Sequence, residues 1–506
     1  MKKEMKLKIM SDCTKQSLFY IGGLMINKNI DSQIIEWINK NKKYIIENWM
    51  ELIKIPSVKS DAQEKAPFGL NCAKVLEESI KLFSKESSTK TQLFRNDGYA
   101  LAEYNANKSD KTIGIFSHSD VVPAGEGWKY TNPFEPVIID GSLIGRGCED
   151  NKSGIMAALC LIKFISDYKI DIKSKIQVFI GSDEECGMAD LKAYLKAHNT
   201  PDLSFVPDAD FPCSVGEKGI YHFNVKSKKE FTDIVEFTGG EAANIVLDKV
   251  VAKIRFSDNL LSELISLTKN SENICIDKSD DYILITSTGV SKHASIPEGS
   301  LNAAYIALEL LSKCKHLNTD DKDICKKAAH LISDNYGKGI GVTNEDPVFG
   351  KMTSVNGICR TESHRLIMSF DVRYGDTLDS EFLETESEKY INSYDFDVCD
   401  KENRPGFLID KNSNIPDVLE DIYNEISNQN LKRVVMSGGT YARRLPNAFS
   451  IGTSIVTKER EDKILKMPDG HGGMHQRDEK IDIQAFFEAV RVLIHYVIEC
   501  DKLINL

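Results

Sequence analysis

The feature that most constrains the fold is a regular alternation of short apolar segments with helical segments over residues 110–200. Residues 112–116 and 176–181 are apolar and predict two strands, whereas residues 153–166 and 190–198 predict helices. Strands that alternate with helices in this way form a largely parallel sheet that is covered by helices. The sequence therefore predicts an α/β fold for this part of the chain.

The pattern changes after about residue 218 and returns after about residue 405. Between these points, strand-like and helical segments follow one another without strict alternation, which indicates an α+β unit inserted into the first one. The predicted boundaries are an N-terminal extension over 1–28, α/β parts over 29–218 and 405–506, and an insert over 219–404 with strands at 220–227, 249–256, 282–288 and 365–374 and helices at 300–315 and 321–335.

Charge and cysteine usage exclude several classes of protein. Lys and Arg number 64 against 76 Asp and Glu, a formal net charge of −12, so we expect no basic face for nucleic acid or an anionic membrane. No apolar run reaches about 18 residues, so we expect no membrane-spanning helix. The 12 cysteines are scattered singly, without a C-x-x-C pair, which predicts reduced thiols in a cytoplasmic protein.

A histidine and several carboxylates follow the predicted strands. SHSD, residues 117–120, comes directly after the first strand, and an extended chain points His118 and Asp120 to the same side. GRGCEDNKSG, residues 145–154, carries Asp150 at the start of the next helix. Each motif alone is also typical of a surface turn or of a carboxylate that stabilises a helix N-terminus.

Two further motifs extend this pattern. GSDEECG, residues 181–187, follows the second strand and includes Glu184 and Glu185, and FVPDADF, residues 205–211, carries Asp208. Packed carboxylates repel one another unless a cation or protons intervene, although a solvated acidic turn is the alternative. Because ligands bind at the carboxyl ends of strands in open α/β sheets, we expect these side chains at one edge of the sheet.

The residue types at this edge predict a metal site. Histidine, aspartate and glutamate without a thiolate suit zinc, manganese or cobalt. A site with few protein ligands per ion leaves a position for water or substrate, as catalytic sites do. The glycine-rich loop PDGHGGMHQRDE, residues 468–479, offers a further histidine, which is either His471 or His475.

Taken in order, the motifs resemble those of a known enzyme family. HSDVVPAG, GRGCEDNKSG, GSDEECG, PDADFP, GEKG and GMHQRDE occur in the order found in the dinuclear zinc carboxypeptidase/aminoacylase family. MSGGTYAR, residues 436–443, and GVSKHAS, residues 289–295, are most similar to its bacterial dipeptidase branch, the PepV-like and Xaa-His dipeptidases. The resemblance covers residues 30–505, and the motifs are highly specific as an ordered set.

The resemblance implies a catalytic domain with a mixed, largely parallel sheet flanked by helices over 29–218 and 405–506, and an α+β lid domain over 219–404. It also implies two divalent metal ions, with zinc favoured and manganese or cobalt as alternatives. The implied ligands are His118 and Asp208 for one ion, Glu185 and His475 for the other, and Asp150 between both.

The same resemblance implies roles in catalysis and substrate binding. Asp120 would orient His118, Glu184 would act as general base and acid, and His293 in the lid would stabilise the oxyanion. The implied substrate-binding residues are Asn244, Arg373, Gly439, Thr440, Tyr441 and Arg443.

Two residues in the Asp150 motif depart from the family pattern. Asn151 replaces a common aspartate and Ser153 a frequent glycine, which affects the shape of the loop rather than the implied ligands. The last glycine-rich loop also departs, because the family often lacks His471. The M-H-Q context therefore favours His475 as the ligand, with His471 as the alternative.

These implications predict a metal-dependent dipeptidase that hydrolyses unblocked dipeptides. An N-acyl amino acid deacylase or an aminotripeptidase of the same family is the alternative, and the presence of Glu184 argues against a non-catalytic metal-binding protein. No G-x-S-x-G motif occurs, so a serine hydrolase is not expected. We expect a small peptide as partner rather than nucleic acid or a membrane, and the large insert favours a monomer because it would supply His293 in the same chain.

Overall fold

The computed structural model describes residues 26–86, 88–105, 110–410 and 412–506. Of the predicted N-terminal extension over residues 1–28, residues 1–25 lie outside the described residues. The first helix begins at Lys28. Asn27 is its N-cap, and the Asn27 side chain accepts hydrogen bonds from the amides of Asn29 and Ile30. Among the described residues, no helix has both the length and the apolar character that a bilayer crossing requires.

The helices and strands are numbered here in chain order. The helices are α1 Lys28–Ile53, α2 Leu70–Phe83, α3 Lys152–Tyr168, α4 Ala189–Ala197, α5 Asp258–Thr268, α6 Ala303–Lys313, α7 Thr319–Leu331, α8 Ser380–Ser393, α9 Ile415–Ser427, α10 Lys458–Glu461 and α11 Ile483–Ile504. The strands are β1 Thr89–Phe94, β2 Tyr99–Tyr104, β3 Thr112–His118, β4 Val137–Ile139, β5 Ser142–Ile144, β6 Lys175–Gly181, β7 Leu203–Ala209, β8 Ser214–Glu217, β9 Gly219–Ser227, β10 Ile234–Gly239, β11 Lys249–Arg255, β12 Ile274–Lys278, β13 Tyr282–Thr288, β14 Glu345–Asp346, β15 Gly350–Lys351, β16 Thr353–Glu362, β17 Arg365–Tyr374, β18 Phe396–Arg404, β19 Phe407–Leu408, β20 Val434–Met436, β21 Ala448–Gly452 and β22 Lys480–Asp482.

The chain folds into two compact units. Unit 1 contains the described residues up to 215 together with 409–434 and 439–506, and unit 2 contains 216–408 and 435–438. Unit 1 is therefore built from segments on both sides of unit 2 in the sequence. The boundaries between a catalytic domain and a lid domain at 218/219 and 404/405 stay predictions.

A mixed sheet forms the centre of unit 1, as the sequence predicts. Its strands follow the order β1-β2-β6-β3-β7-β21, in which β6, β3, β7 and β21 are parallel and β1 and β2 are antiparallel to their neighbours. Helix α3 is buried along almost its whole length, because its residues are apolar on every side. Such continuous apolar character is typical of a helix enclosed in the core of a large domain.

A small second sheet in unit 1 brings distant parts of the sequence together. Strand β5 pairs with β4 and with β22, so that Ile144 lies opposite Lys480. The loop that follows β5 therefore lies beside the residues that precede α11. These two segments carry Asp150 and His475, respectively.

Unit 2 is an antiparallel α+β unit, as predicted. Its eight strands follow the order β12-β13-β11-β10-β16-β17-β9-β18, and all the neighbouring pairs are antiparallel. Apolar residues of α6 and α7 pack with this sheet in one buried core, which includes Leu308, Leu311, Ile324 and Phe370.

Candidate metal centre

The carboxyl ends of three parallel strands position the site in unit 1. His118 is the last residue of β3 and lies opposite Gly181, the last residue of β6. Glu184 and Glu185 follow β6 in a short 3-10 turn, and Asp208 is the penultimate residue of β7. The side chains thus lie at the edge of the sheet where open α/β folds bind ligands.

His118 is fully buried among carboxylates. Its Nδ1 lies 3.0 Å from the carbonyl oxygen of Asp120 and 3.4 Å from the Asp120 carboxylate. Its Nε2 lies 3.1 Å from Asp150 Oδ1 and 3.8 Å from Asp208 Oδ2. Burial lowers the pKa of His118, but the adjacent carboxylates of Asp120 and Asp150 outweigh burial and raise this pKa well above its ordinary value.

Asp150 lies between two imidazoles. Its Oδ1 faces His118, and its Oδ2 lies 3.0 Å from His475 Nε2. Burial raises the pKa of Asp150, but the adjacent imidazoles of His118 and His475 reverse that effect and lower this pKa below its ordinary range. Asp150 therefore lies between the two histidines, and its role as a ligand between two ions stays a prediction.

His475 also approaches Glu185, with 3.3 Å between Nε2 and Oε1. The adjacent carboxylates of Asp150 and Glu185 raise the pKa of His475 to about 11. The backbone of His475 has a φ of +62°, in the left-handed region that side chains rarely adopt. Such strained conformations are concentrated at functional sites, where the surrounding structure holds them in place.

Buried polar atoms without hydrogen-bond partners test whether the site fits metal ions. Within the described residues, His118 Nε2, Glu184 Oε1 and Glu185 Oε1 are buried and make no hydrogen bond. Ligand atoms of His118, Asp150 and Glu185 lie within 4.8 Å of one another, as do those of His118, Glu184 and Asp208. Because orphaned buried polar atoms are costly, these nitrogen and oxygen atoms fit divalent cations.

Asp120 holds the turn that carries the two glutamates. Its carboxylate accepts hydrogen bonds from the amide of Glu184, at 3.3 Å, and from that of Glu185, at 3.1 Å. The His118 imidazole is closer to the carbonyl oxygen of Asp120 than to its carboxylate. Asp120 therefore contacts both the implied metal ligand His118 and the backbone of the implied base.

Glu184 has the environment of a carboxyl group that binds a proton readily. Burial raises its pKa well above the ordinary value, and the neighbouring carboxylates of Asp208, Glu185 and Asp120 raise it further, whereas His118 acts in the opposite direction. The pKa of Glu185 is also raised by burial and by Asp150. A cation between these groups would relieve their mutual repulsion.

Glu479 is a structural part of the site that the sequence analysis missed. Its fully buried carboxylate accepts hydrogen bonds from the amides of Gly147 at 3.0 Å, Glu149 at 2.9 Å and Asp150 at 3.1 Å. It also accepts a hydrogen bond from Nη1 of the buried Arg146, at 2.6 Å. The only signal in the sequence was its place in GMHQRDE, four residues after His475. Glu479 connects the loop that carries Asp150 to the loop that carries His475.

Asp478, which precedes Glu479, is hydrogen-bonded to the other histidine of the loop, His471. The Asp478 carboxylate lies 2.5 Å from His471 Nδ1 and accepts hydrogen bonds from the amides of Lys129 and Tyr130. His471 is thus bonded to a buried carboxylate, whereas His475 faces Asp150 and Glu185. His475, rather than His471, therefore lies beside two of the implied ligands, and its role as a metal ligand stays a prediction.

The two departures from the family pattern make local contacts. The side-chain amide of Asn151 donates a hydrogen bond to the carbonyl oxygen of Pro207 and another, at 3.1 Å, to Asp208 Oδ1. The hydroxyl of Ser153 donates to the carbonyl oxygen of Glu149. Asn151 therefore contacts one of the implied ligands as a hydrogen-bond donor, which an ionised aspartate could not do.

The GGTYAR residues of unit 1 lie in and around a short 3-10 turn. Thr440 caps this turn by accepting a hydrogen bond from the amide of Ala442. An added Cβ at Gly439 would lie 2.7 Å from two nitrogens of Arg443, so the guanidinium occupies the space next to this glycine. Tyr441 is fully buried, and its hydroxyl donates to Asp190 at 2.6 Å.

The remaining implied residues lie in unit 2. Asn244 and His293 are neighbours, with 3.5 Å between Asn244 Nδ2 and His293 Nε2, and the amide of Ala294 donates to the Asn244 carbonyl oxygen. Arg373 is buried and donates two hydrogen bonds to Asp371, at 2.6 and 2.8 Å. Binding of substrate by Asn244 and Arg373, and the role of His293 at an oxyanion, stay predictions.

Comparisons with known proteins indicate a family of peptidases. The profile of peptidase family M20/M25/M40 matches residues 114–499. A protein of Staphylococcus aureus (strain USA300) that is named "putative dipeptidase" is 27% identical over 478 residues, which cover 91% of this chain and 98% of that protein.

Solved structures resemble the fold along nearly the whole chain. Human carnosine dipeptidase 1 has a TM-score of 0.58 at 13% identity, and the match covers 94% of this chain and 99% of that one. The aminoacylhistidine dipeptidase of Vibrio alginolyticus has a TM-score of 0.51 at 14% identity, and the match covers 90% and 96%. At these identities the likeness is one of fold.

Proposed function

Because the chain belongs to peptidase family M20/M25/M40, it is a metallopeptidase, and we propose that it hydrolyses unblocked dipeptides at a centre of two divalent cations. The observation that carries this proposal is the convergence of His118, Asp150, Glu185 and His475 around buried polar atoms that lack hydrogen-bond partners. The dipeptidase names of the Staphylococcus relative and of the solved structures support the choice of substrate.

The proposed ligand set uses five side chains. His118 and Asp208 would hold one cation, Glu185 and His475 the other, and Asp150 would bridge them. When bound, two such cations polarise the scissile carbonyl and lower the pKa of a shared water toward about 7. We propose zinc as the native metal, because imidazole and carboxylate ligands without thiolate suit it, with manganese or cobalt as alternatives.

Glu184 is the proposed general base and acid. Its Oε1 is buried without a hydrogen-bond partner, and burial raises its pKa, so this carboxyl group has both space and affinity for a proton. It would take the proton of the attacking water and pass it to the leaving nitrogen. Asp120 supports this role because it binds the amide of Glu184.

We also propose the substrate-binding residues that the family resemblance implies. His293 would stabilise the oxyanion, with Asn244 beside it. A dipeptide also carries a carboxylate, which Arg373 or Arg443 would pair with through two parallel hydrogen bonds. Gly439 and Thr440 complete the proposed substrate-binding set; the family resemblance also implies Tyr441, whose hydroxyl is bonded to Asp190.

A reducing compartment fits the state of the thiols. The cysteines within the described residues are free, and most of them are buried. We therefore propose a cytoplasmic enzyme that acts on small peptides. The monomer inferred from the large insert stays part of this proposal, and size-exclusion chromatography with light scattering tests it.

The decisive experiment is a substrate panel after treatment with EDTA. Dipeptides, tripeptides and N-acyl amino acids are offered to the apoprotein with zinc, manganese or cobalt added back. We expect dipeptides to be cleaved fastest, and only when metal is present. Exclusive cleavage of N-acyl amino acids or of tripeptides would replace the proposed substrate with one of the family alternatives.

Glu184→Gln tests the mechanism directly. The variant should retain its metal content, measured by mass spectrometry, and lose a factor of about 10²–10⁴ in kcat, the usual contribution of a positioned general base. Glu64→Gln is the matched control, because Glu64 is exposed and lies outside the site. A Glu184→Gln enzyme with the activity of the control would show that the base is another group.

A further inference from the structure

A hydroxyl and a carboxylate occupy the space that a side chain at position 181 would fill. An added Cβ on Gly181 would lie 1.9 Å from the Tyr441 hydroxyl oxygen and 2.3 Å from Asp190 Oδ2. Tyr441 and Asp190 are both fully buried, and 2.6 Å separates the hydroxyl from the carboxylate that accepts its hydrogen bond. The glycine at the end of β6 therefore makes room for this pair.

Asp190 connects the pair to the backbone that leads to the two glutamates. Its Oδ2 accepts hydrogen bonds from the amides of Ser182, at 2.6 Å, and Asp183, at 2.9 Å. Its Oδ1 accepts another from the amide of Leu191. One buried carboxylate thus holds the two residues that directly precede Glu184, and a change in its position would move the turn.

Tyr441 connects the same turn to the strand that carries His118. Its ring meets the His118 ring edge-on, with 6.4 Å between centroids and an interplanar angle of 87°. The carbonyl oxygen of Gly181 accepts hydrogen bonds from the amide and the hydroxyl of Ser119, the residue that follows His118. The ends of β3 and β6 are therefore fixed to each other beneath the site.

We infer that Tyr441 and Asp190 are a positioning pair that fixes the Glu184–Glu185 turn and the His118 ring relative to each other. The inference rests on the proposed function, and it gives Tyr441 a role different from the substrate contact that the family resemblance implies. Its hydroxyl is bonded to Asp190 in the protein interior, where a peptide has no access without displacing that bond. Neither residue touches the reacting atoms.

Kinetics separate the two roles of Tyr441, because a lost substrate contact and a lost positioning contact have different effects. Removal of a contact made equally to substrate and transition state raises KM and leaves kcat unchanged. Misplacement of the base and ligands lowers kcat and has little effect on KM. The substitution Tyr441→Phe removes only the hydroxyl and keeps the ring that packs on His118.

We expect Tyr441→Phe to lower kcat about 10-fold with KM within about 2-fold of the wild-type value, because loss of a group that orients a metal ligand commonly costs this much. Tyr194→Phe is the matched control, because Tyr194 is equally buried, packs on the same Phe179 ring and donates its hydroxyl to Gln177 instead. Its kcat should stay within about 2-fold of wild type. A higher KM with an unchanged kcat in Tyr441→Phe would overturn the inference.

Binding of Mn²⁺ to the apoprotein gives a measurement that does not depend on turnover. Tyr441→Phe should weaken Mn²⁺ binding, followed by electron paramagnetic resonance, about 10-fold, whereas Tyr194→Phe should leave it unchanged. If the wild type binds Mn²⁺ but cleaves no dipeptide, the proposed function fails while this test of the pair still stands. Equal Mn²⁺ affinity in wild type and Tyr441→Phe would refute the pair.

A double-mutant cycle tests whether the two residues act as one unit. Asp190→Ala removes the carboxylate that accepts the hydrogen bond of the Tyr441 hydroxyl and should also lower kcat. The double variant should lose no more activity than the more impaired single variant, because both substitutions break the same bond. Losses that multiply would show that Tyr441 and Asp190 act independently and would contradict the inference.

Discussion

The substitution Glu479→Gln should destabilise unit 1 strongly, although it changes one oxygen to an amide nitrogen. The Glu479 carboxylate accepts from Arg146 and Gly147 on one oxygen and from Glu149 and Asp150 on the other. A glutamine has one acceptor oxygen, so its amide group must face two of these donors in either orientation. Two buried donors therefore lose their acceptor.

The magnitude follows from these contacts. Each buried donor left without a partner costs about 1–3 kcal/mol. Loss of the charge opposite the buried Arg146 has a cost of about 3–5 kcal/mol in comparable ion pairs. The two contributions overlap, because Arg146 is itself one of the donors, so we expect a total loss of about 3–5 kcal/mol in the free energy of unfolding.

Tryptophan fluorescence during urea unfolding measures this loss in unit 1 alone. The three tryptophans of the chain, Trp37, Trp49 and Trp128, all belong to unit 1, and the Arg146 guanidinium lies 5.6 Å from the centre of the Trp128 ring. The matched control is Glu77→Gln, which breaks the exposed ion pair with Arg95 and should cost less than about 1 kcal/mol. A Glu479→Gln variant within about 1 kcal/mol of wild type would refute the reasoning.

Two further substitutions test other contacts. Burial raises the pKa of Asp31, but hydrogen bonds from His495 and Arg491 outweigh burial and lower this pKa to about 2. Ionised Asp31 therefore stabilises the folded state fully above the ordinary carboxyl pKa of about 4, and this contribution is lost as the pH falls through about 2. Asp31→Asn should therefore lower the midpoint of thermal unfolding at pH 7. Calorimetry should find that the difference in midpoint between wild type and variant narrows below about pH 4. A difference in midpoint that does not change with pH would contradict this role of Asp31. Gly181→Ala should lower kcat more than Tyr441→Phe does, because its Cβ would displace both members of the pair, and the double variant Gly181→Ala/Tyr441→Phe should recover part of the loss. A wild-type kcat in Gly181→Ala would show that catalysis does not depend on the space that Tyr441 and Asp190 occupy next to Gly181.

The strands that form the centre of unit 1 were predictable because they are buried on both faces. Residues 112–116 and 176–181 are largely apolar, as expected of central parallel strands, and they form most of β3 and β6. Strand β1 was not predicted. It is an edge strand in which Lys90, Thr91 and Gln92 are exposed, so its residues carry neither an apolar run nor a clean alternation.

The candidate site was predictable to the extent that its residues follow strands. His118 and Glu185 follow apolar runs within two and four residues, respectively, and the structure brings them together with Asp150 and His475. The supporting contacts were not predictable, because they depend on pairs far apart in the chain. Glu479 is separated from its partner Arg146 by 333 residues, and no local period or spacing signals such a pair.

Tyr441 shows that a sequence motif does not reveal the contacts that its residues make in the folded chain. The GGTYAR motif was informative about family, and it implied a substrate-binding role for this tyrosine. Its actual hydrogen-bond partner, Asp190, lies 251 residues earlier and belongs to no motif that was singled out. Burial of both groups, which only the folded chain reveals, decides what the hydroxyl binds.

The division of unit 1 between two distant segments has a consequence for synthesis on the ribosome. Glu479, which holds the amide of Asp150, follows it by 329 residues. At ordinary translation rates this separation corresponds to about 15–65 s, during which the nascent chain presents His118, Asp150 and Glu185 without His475 or Glu479. The proposed metal centre is therefore completed late, after unit 2 has been made. A growing chain does not contain the complete proposed site while it is still being synthesised.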